Sequence, residues 1–162
     1  MGAIDGTDDI KQATRVLQLC YPKIIVAHEV QEAVDGSSIV QVIKNGKRIV
    51  GVMIAERDMH EIYIRRIAVL DEYRLKGYAR GMINNLLRQD HVKLLTLSVP
   101  GWEPASVAFA HRCGFHVFGI DSDNEGFQVW RLSSRANASS RNRIEQYFSK
   151  RLSRKGDFGR RY

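Results

Sequence analysis

Ile67-Ala68-Val69-Leu70-Asp71-Glu72-Tyr73-Arg74-Leu75-Lys76-Gly77-Tyr78-Ala79-Arg80 is the stretch whose reading decides how this chain folds. Its first part closes the apolar run Ile62–Leu70, which Arg65-Arg66 interrupts; this predicts a strand whose two faces meet different environments. Asp71–Lys76 is polar and predicts a turn. From Gly77 to Asp90 the residues Ala79, Met82, Ile83, Leu86 and Leu87 recur at helical spacing, so an amphipathic helix follows. A turn between strand and helix presents backbone N–H groups at the positive end of the helix, where a pyrophosphate binds if no side chain blocks its approach. Gly77 and Ala79 leave that approach open, and Arg74, Lys76 and Arg80 supply positive charge. Leu94–Val99 is short and almost continuously apolar, as in a strand buried on both faces. Strand, turn, helix and strand in this order predict a right-handed crossover with parallel pairing.

Upstream, Ser38–Lys44 and Arg48–Arg57 are β-rich runs joined by Asn45-Gly46, the pattern of a two-stranded hairpin. Thr7 to Cys20 opens with Thr7-Asp8-Asp9 as cap candidates and carries Ile10, Ala13, Val16, Leu17 and Cys20 on one helical face, with Pro22 ending it. The segment between is poorly patterned. Downstream, Pro104–Arg112 predicts a helix with Pro104 in its first turn and Gly114 at the left-handed position beyond its end. Phe115–Ile120 and Phe127–Leu132 are strand candidates around the polar turn Asp121–Gly126. Ser133–Asn142 reads as a linker, and Ile144, Tyr147, Phe148, Arg151 and Leu152 as one face of a short helix beyond it.

The 162 residues suit one domain, and no apolar run approaches the length that spans a bilayer. The chain's first residues lack a basic stretch followed by an apolar one, so a cytoplasmic protein is expected. Cys20 and Cys113 make neither a disulfide framework nor a metal-ligand cluster and read as reduced apolar fillers. Charge divides the chain at residue 134. Residues 135–162 hold nine Arg and Lys against Glu145 and Asp157, the whole of the net +7, while residues 1–134 balance to zero. Any attraction to nucleic acid or an acidic partner therefore belongs to this basic extension.

Arg74, Gly77 and Ala79 resemble the signature of the GNAT acetyltransferase superfamily, Arg/Gln-x-x-Gly-x-Gly/Ala between a central strand and a helix. Asp71-Glu72-Tyr73 is similar to its usual lead-in, and Ala105–Phe115, ending in Gly114-Phe115, to its second motif. The resemblance covers roughly residues 38–133, and only Met1–Asp5 remains for the family's first strand. It implies an α+β fold with a mixed, largely antiparallel sheet flanked by helices and a parallel strand pair splayed at the cofactor site. It also implies acetyl-CoA as cosubstrate, with Ile67, Ala68 and Val69 pairing with the pantetheine arm and the loop Arg74, Leu75, Lys76, Gly77, Tyr78, Ala79 and Arg80 holding the pyrophosphate. Backbone N–H near Ala68-Val69 would polarise the thioester carbonyl.

The family's catalytic side chains carry over poorly. Ala110 stands where many relatives have a Tyr acid, and Glu103 where many have Asn. The candidates present are Glu61 and Tyr63, two apart and so on one face of the strand, and Glu103 at the splay; Tyr63 or His111 would return the proton. A solvated strand-end charge, a packing aromatic and a surface histidine are the alternative readings of Glu61, Tyr63 and His111. The expected reaction is direct acetyl transfer to a primary amine, on a protein lysine, an N-terminus or a small molecule. Two other readings stand beside it. One is a CoA-binding domain weakened in catalysis; the other is a nucleic-acid or ribosome binder acting through residues 135–162, whose apolar members have docking on the body or on a second copy in a homodimer as their alternative reading.

Overall fold

A computed structural model describes residues 1–59, 61–89, 92–100, 104–121 and 127–133. The expected linker beyond Ser133, the helical basic extension, most of the turn Asp121–Gly126, and Glu103 lie outside these residues. The chain divides into two compact units, Met1–Val92 and Lys93–Tyr162.

The first unit opens with helix α1 (Gly6–Cys20), which buries Ala13, Val16 and Leu17 as the periodicity predicts. Truncating Leu17, fully buried, would cost about 2–5 kcal/mol. The expected caps do not act as caps: Asp5 occupies the N-cap without a side-chain bond. Asp9 instead accepts the Asp5 backbone N–H at 2.8 Å and the Lys44 ammonium at 2.7 Å, tying the helix start to the sheet. Lys44 and the Asp5 N–H hold the Asp9 carboxyl below its ordinary range. A short helix α2 (Glu29–Asp35) fills the segment that lacked a pattern, with Val30 and Ala33 as its buried anchors.

Three strands follow, β1 (Ile39–Asn45), β2 (Arg48–Asp58) and β3 (Glu61–Val69). They form an antiparallel meander with β2 in the middle. Residues 49–55 of β2 are buried on both faces, which explains a run that alternation alone would not give. Asn45 pairs with Arg48, so the hairpin turn is Gly46-Lys47 rather than Asn45-Gly46. Gly46 has φ 60 and Lys47 is not left-handed, the arrangement with glycine at the first turn position. The place kept for a first strand holds a single bridge: Gly2 exchanges both backbone bonds with Val42 at 2.9 Å.

The pair Arg65-Arg66 marks an irregularity. Ile54 faces Arg66 while Ala55 faces Ile64, leaving Arg65 as the extra residue of a β-bulge. A 3-10 turn (Asp71–Tyr73) and helix α3 (Tyr78–Leu87) complete the unit, with Met82, Ile83 and Leu86 buried.

In the second unit β4 (Leu94–Pro100), helix α4 (Pro104–Arg112), β5 (His116–Asp121) and β6 (Phe127–Ser133) follow one another. Antiparallel ladders join β6 to both β4 and β5. Leu94, Leu95, Leu97 and Val99 are all nearly inaccessible, as the apolar run predicts. The end of α4 is a left-handed cap: Gly114 has φ 87, its N–H reaches His111 O at 2.9 Å, and Phe115 N–H reaches Ala110 O at 3.1 Å. Ala110 and Phe115 are both buried, the apolar contact that accompanies this cap. The architecture is α+β, as expected from the order of elements.

Candidate functional site

The loop after β3 is built from two left-handed residues. Arg74 is extended, Leu75 has φ 61, and Gly77 has φ 82 as the N-cap of α3. Glycine adopts this conformation without cost, whereas for leucine it costs on the order of 1–2 kcal/mol. Leu75 gains nothing by burial in return, since it is 91% exposed. The strained backbone therefore serves the path of the loop, not the packing of its side chain.

Past Gly77 the helix starts with Tyr78, Ala79 and Arg80, and its first turn carries no acidic residue to compete for its N–H groups. The N-cap has no side-chain bond, and Gly77 O accepts the Gly81 N–H at 2.8 Å as the first helical bond. A Cβ built on Gly77 or on Gly81, one turn later, would meet nothing within 4 Å. The backbone is bare here without being pressed by its own protein. Gly81 escaped the sequence reading because an isolated glycine inside a helical pattern carries no signal of its own.

The cations are placed with care. Arg74 turns back on the strand: its Nε donates to Val69 O at 3.0 Å and an Nη to Asp71 Oδ1 at 3.0 Å. Lys76 lies 5.0 Å above the Tyr73 ring, whose hydroxyl accepts from Asn45 Nδ2 at 3.0 Å. Arg48 and Glu72 pair at 3.3 Å, a second stitch between hairpin and loop.

At the end of β3 the backbone groups alternate in direction. Leu70 N–H donates to Val50 O at 2.9 Å, so by alternation Ala68 faces β2, while Ile67 and Val69 turn their backbone groups the other way. Two residues at the end of α1 reach these groups. The Tyr21 hydroxyl donates to Ile67 O at 2.8 Å and accepts Ile67 N–H at 3.3 Å. The Cys20 thiol donates to Val69 O at 3.6 Å. Burial pushes the Cys20 thiol up from its ordinary value, opposed by the Arg74 guanidinium. Arg66 lies 5.5 Å from the Tyr21 ring centre and pairs with Glu29 at 2.8 Å, both side chains being largely buried. Neither Tyr21 nor this pair was singled out from the sequence, since contacts across 46 residues leave no local signal.

At the other end of β3, Glu61 and Tyr63 share a half-exposed face while Ile62 and Ile64 are buried, so the period-two expectation holds. Glu56, opposite Tyr63, pairs with Arg65 at 2.9 Å. His111 is exposed on α4. Neither Cys20 nor Cys113 is in a disulfide. Among the described residues no group of three His, Cys, Asp or Glu could hold a metal ion, and no helix is long and apolar enough to cross a membrane.

A comparison with curated proteins gives no match. Solved structures give many. An aminoglycoside 6'-N-acetyltransferase complexed with coenzyme A matches with a TM-score of 0.68 at 13% identity, over 84% of this chain and 97% of that one. The ribosomal-protein-S18-alanine N-acetyltransferase from Escherichia coli matches at 0.66 and 16% identity, over 84% and 94%. A GNAT family acetyltransferase from Elizabethkingia anophelis with acetyl-CoA bound matches at 0.60 and 14% identity, over 74% and 88%. At these identities the likeness concerns the fold. The sequence itself matches the family model described as acetyltransferase (GNAT) family over residues 10–115, from α1 through Gly114-Phe115, and the chain belongs to that family.

Proposed function

We propose that this chain transfers the acetyl group of acetyl-CoA directly to a primary amine, holding the pyrophosphate on Arg74–Arg80 and the pantetheine arm along Ile67–Val69. The observation that carries this reading is the loop: a left-handed Gly77 with open space around it leads into a helix start whose N–H groups no acid or cap side chain takes. Arg74, Lys76 and Arg80 add the charge that an anion of this kind requires. Backbone groups of Ile67 and Val69 that β2 does not use suit a ligand lying along the strand. In this reading the chain's part in the chemistry is to bind and orient the thioester, polarise its carbonyl with a backbone N–H, and remove a proton from the amine. Glu61 or Glu103 is the base, directly or through water, with Tyr63 beside Glu61 on the strand. The acceptor is a protein amine or a small-molecule amine in the cytoplasm. Thiol release from acetyl-CoA, measured against N-terminal peptides, lysine peptides, polyamines and aminoglycosides, tests the reading and ranks the acceptors.

One observation favours a second reading, a CoA-binding domain weakened in catalysis: Ala110 is fully buried as part of the α4 cap and offers no acid. Binding of acetyl-CoA without turnover on any amine of the panel would support it. The charge of residues 135–162 favours an added contact with a polyanion. Salt-dependent RNA or DNA binding that is lost in a 1–134 truncation would establish that contact; in its absence docking on the body or on a second copy remains for the extension.

A further inference from the structure

We infer that Tyr21 is a catalytic residue, the proton donor to the leaving thiolate. This rests on the reading above, that the thioester lies along Ile67–Val69. The Tyr21 oxygen binds the N–H and the C=O of Ile67 together, at 3.3 and 2.8 Å. Ala68 faces β2, so the donor for a thioester carbonyl oxygen here is an outward N–H beside it, and Tyr21 holds that place on Ile67. A shift of one hydrogen-bond length, about 3 Å, releases the N–H while keeping the hydroxyl beside the same group.

The surroundings suit an acid. Arg66, 5.5 Å from the ring centre, stabilises the phenolate that remains after proton transfer, and Glu29 fixes Arg66 at 2.8 Å. Arg66 Nε and Glu29 Oε2 are buried without a hydrogen-bond partner. A phenol near pKa ~10 and a thiol near ~8.5 are close enough for transfer in step with bond breaking. The acceptor nitrogen forms the C–N bond, and the C–S bond breaks with its electron pair going to sulfur. The Tyr21 proton goes to that sulfur. The phenolate then regains a proton from the one the acceptor nitrogen sheds, so no other reactant is needed. This supplies from the end of α1 the role that the family resemblance assigns to position 110, where this chain has alanine.

The test uses the full chain, with hydroxylamine as surrogate amine and thiol release corrected for the uncatalysed reaction. Tyr21→Phe keeps the ring and loses only the hydroxyl. It should lower kcat about 10- to 100-fold, with acetyl-CoA affinity by calorimetry within about threefold and the thermal midpoint nearly unchanged. Fluorotyrosines at position 21 keep the hydroxyl and make it more acidic, so the basic limb of the kcat profile should move to lower pH with the phenol. The charged and titratable groups around Tyr21 are Arg66 of β3 over its ring, Glu29 of α2 paired with Arg66, and Cys20 and Arg74, which meet at the neighbouring Val69 carbonyl; none of them is altered in this series. Undiminished kcat with tighter binding in Tyr21→Phe would reduce Tyr21 to a plug and overturn the proposal. A wild-type chain that binds acetyl-CoA but releases no thiol also overturns it. Absence of acetyl-CoA binding would instead strike the reading on which it rests.

Discussion

Two turns of the first unit, joined by Asn45–Tyr73 and Arg48–Glu72, use a left-handed glycine to different ends. At Gly46-Lys47 one left-handed residue closes a two-residue hairpin, and the ladder takes over at once on both sides. At Leu75–Gly77 there are two left-handed residues, the first a fully exposed leucine, and the chain leaves the turn into a helix start with no side-chain cap. The hairpin turn serves the strands it connects. The loop carries strain that the packing of Leu75 does not explain and leads into a helix start without a side-chain cap; by our proposal this is where the ligand sits. In a GNAT family member that ligand is acetyl-CoA by our proposal.

The largest expected effect breaks the comparison directly. Gly77→Glu places a side chain and a negative charge in the pyrophosphate's approach, and acetyl-CoA binding by calorimetry should fall more than about 200-fold, beyond the ~1–3 kcal/mol of a single charge-assisted bond. Gly46→Glu is the control: about 1–2 kcal/mol of stability is lost in denaturant melts, with affinity unchanged. Arg74→Ala should weaken binding by about 1–3 kcal/mol, because the charge goes and so does the brace to Val69 O and Asp71. Leu75→Gly relieves the strained leucine against the greater entropy of glycine in the unfolded chain; a net gain of about 0.5–1 kcal/mol in denaturant melts is expected. Gly46 has no neighbour of this kind to relieve.

The smallest effect concerns the sheet side of the hairpin, where Lys44 holds Asp9. The folded Asp9 carboxyl titrates below its ordinary 3.8, so its contribution is present above that pH and is lost as pH falls through the lower folded value. Thermal melts from neutral to acid pH should show a smaller acid loss in Lys44→Met than in wild type, because Asp9 then titrates closer to its ordinary value in the folded chain. Loop variants should leave that limb in place.

The elements legible in the sequence were those whose burial repeats. In α1 and α3 the apolar faces recur over three turns, and the β1–β2 hairpin announced itself through two β-rich runs joined at a glycine. Helix α2 was not legible, because seven residues held by Val30 and Ala33 give too few repeats to set a period. The hairpin turn was displaced by one residue: Asn-Gly favours one turn type, but the pairing of Asn45 with Arg48 makes Gly46-Lys47 the turn. In the site, Gly77 was legible through the strand before it and the helix after it. Leu75 was not, since no propensity sends leucine left-handed, and Tyr21 was not, since only the folded chain brings it to Ile67.

The central claim, that the Leu75–Gly77 loop and the start of α3 hold the pyrophosphate, is tested most directly by backbone amide NMR during titration with CoA. The N–H groups of Lys76, Gly77, Tyr78, Ala79 and Arg80 should show the largest shifts, while those of Gly46 and Lys47 stay in place. Saturable binding with the largest shifts elsewhere, and with the Lys76–Arg80 amides unmoved, would contradict the account.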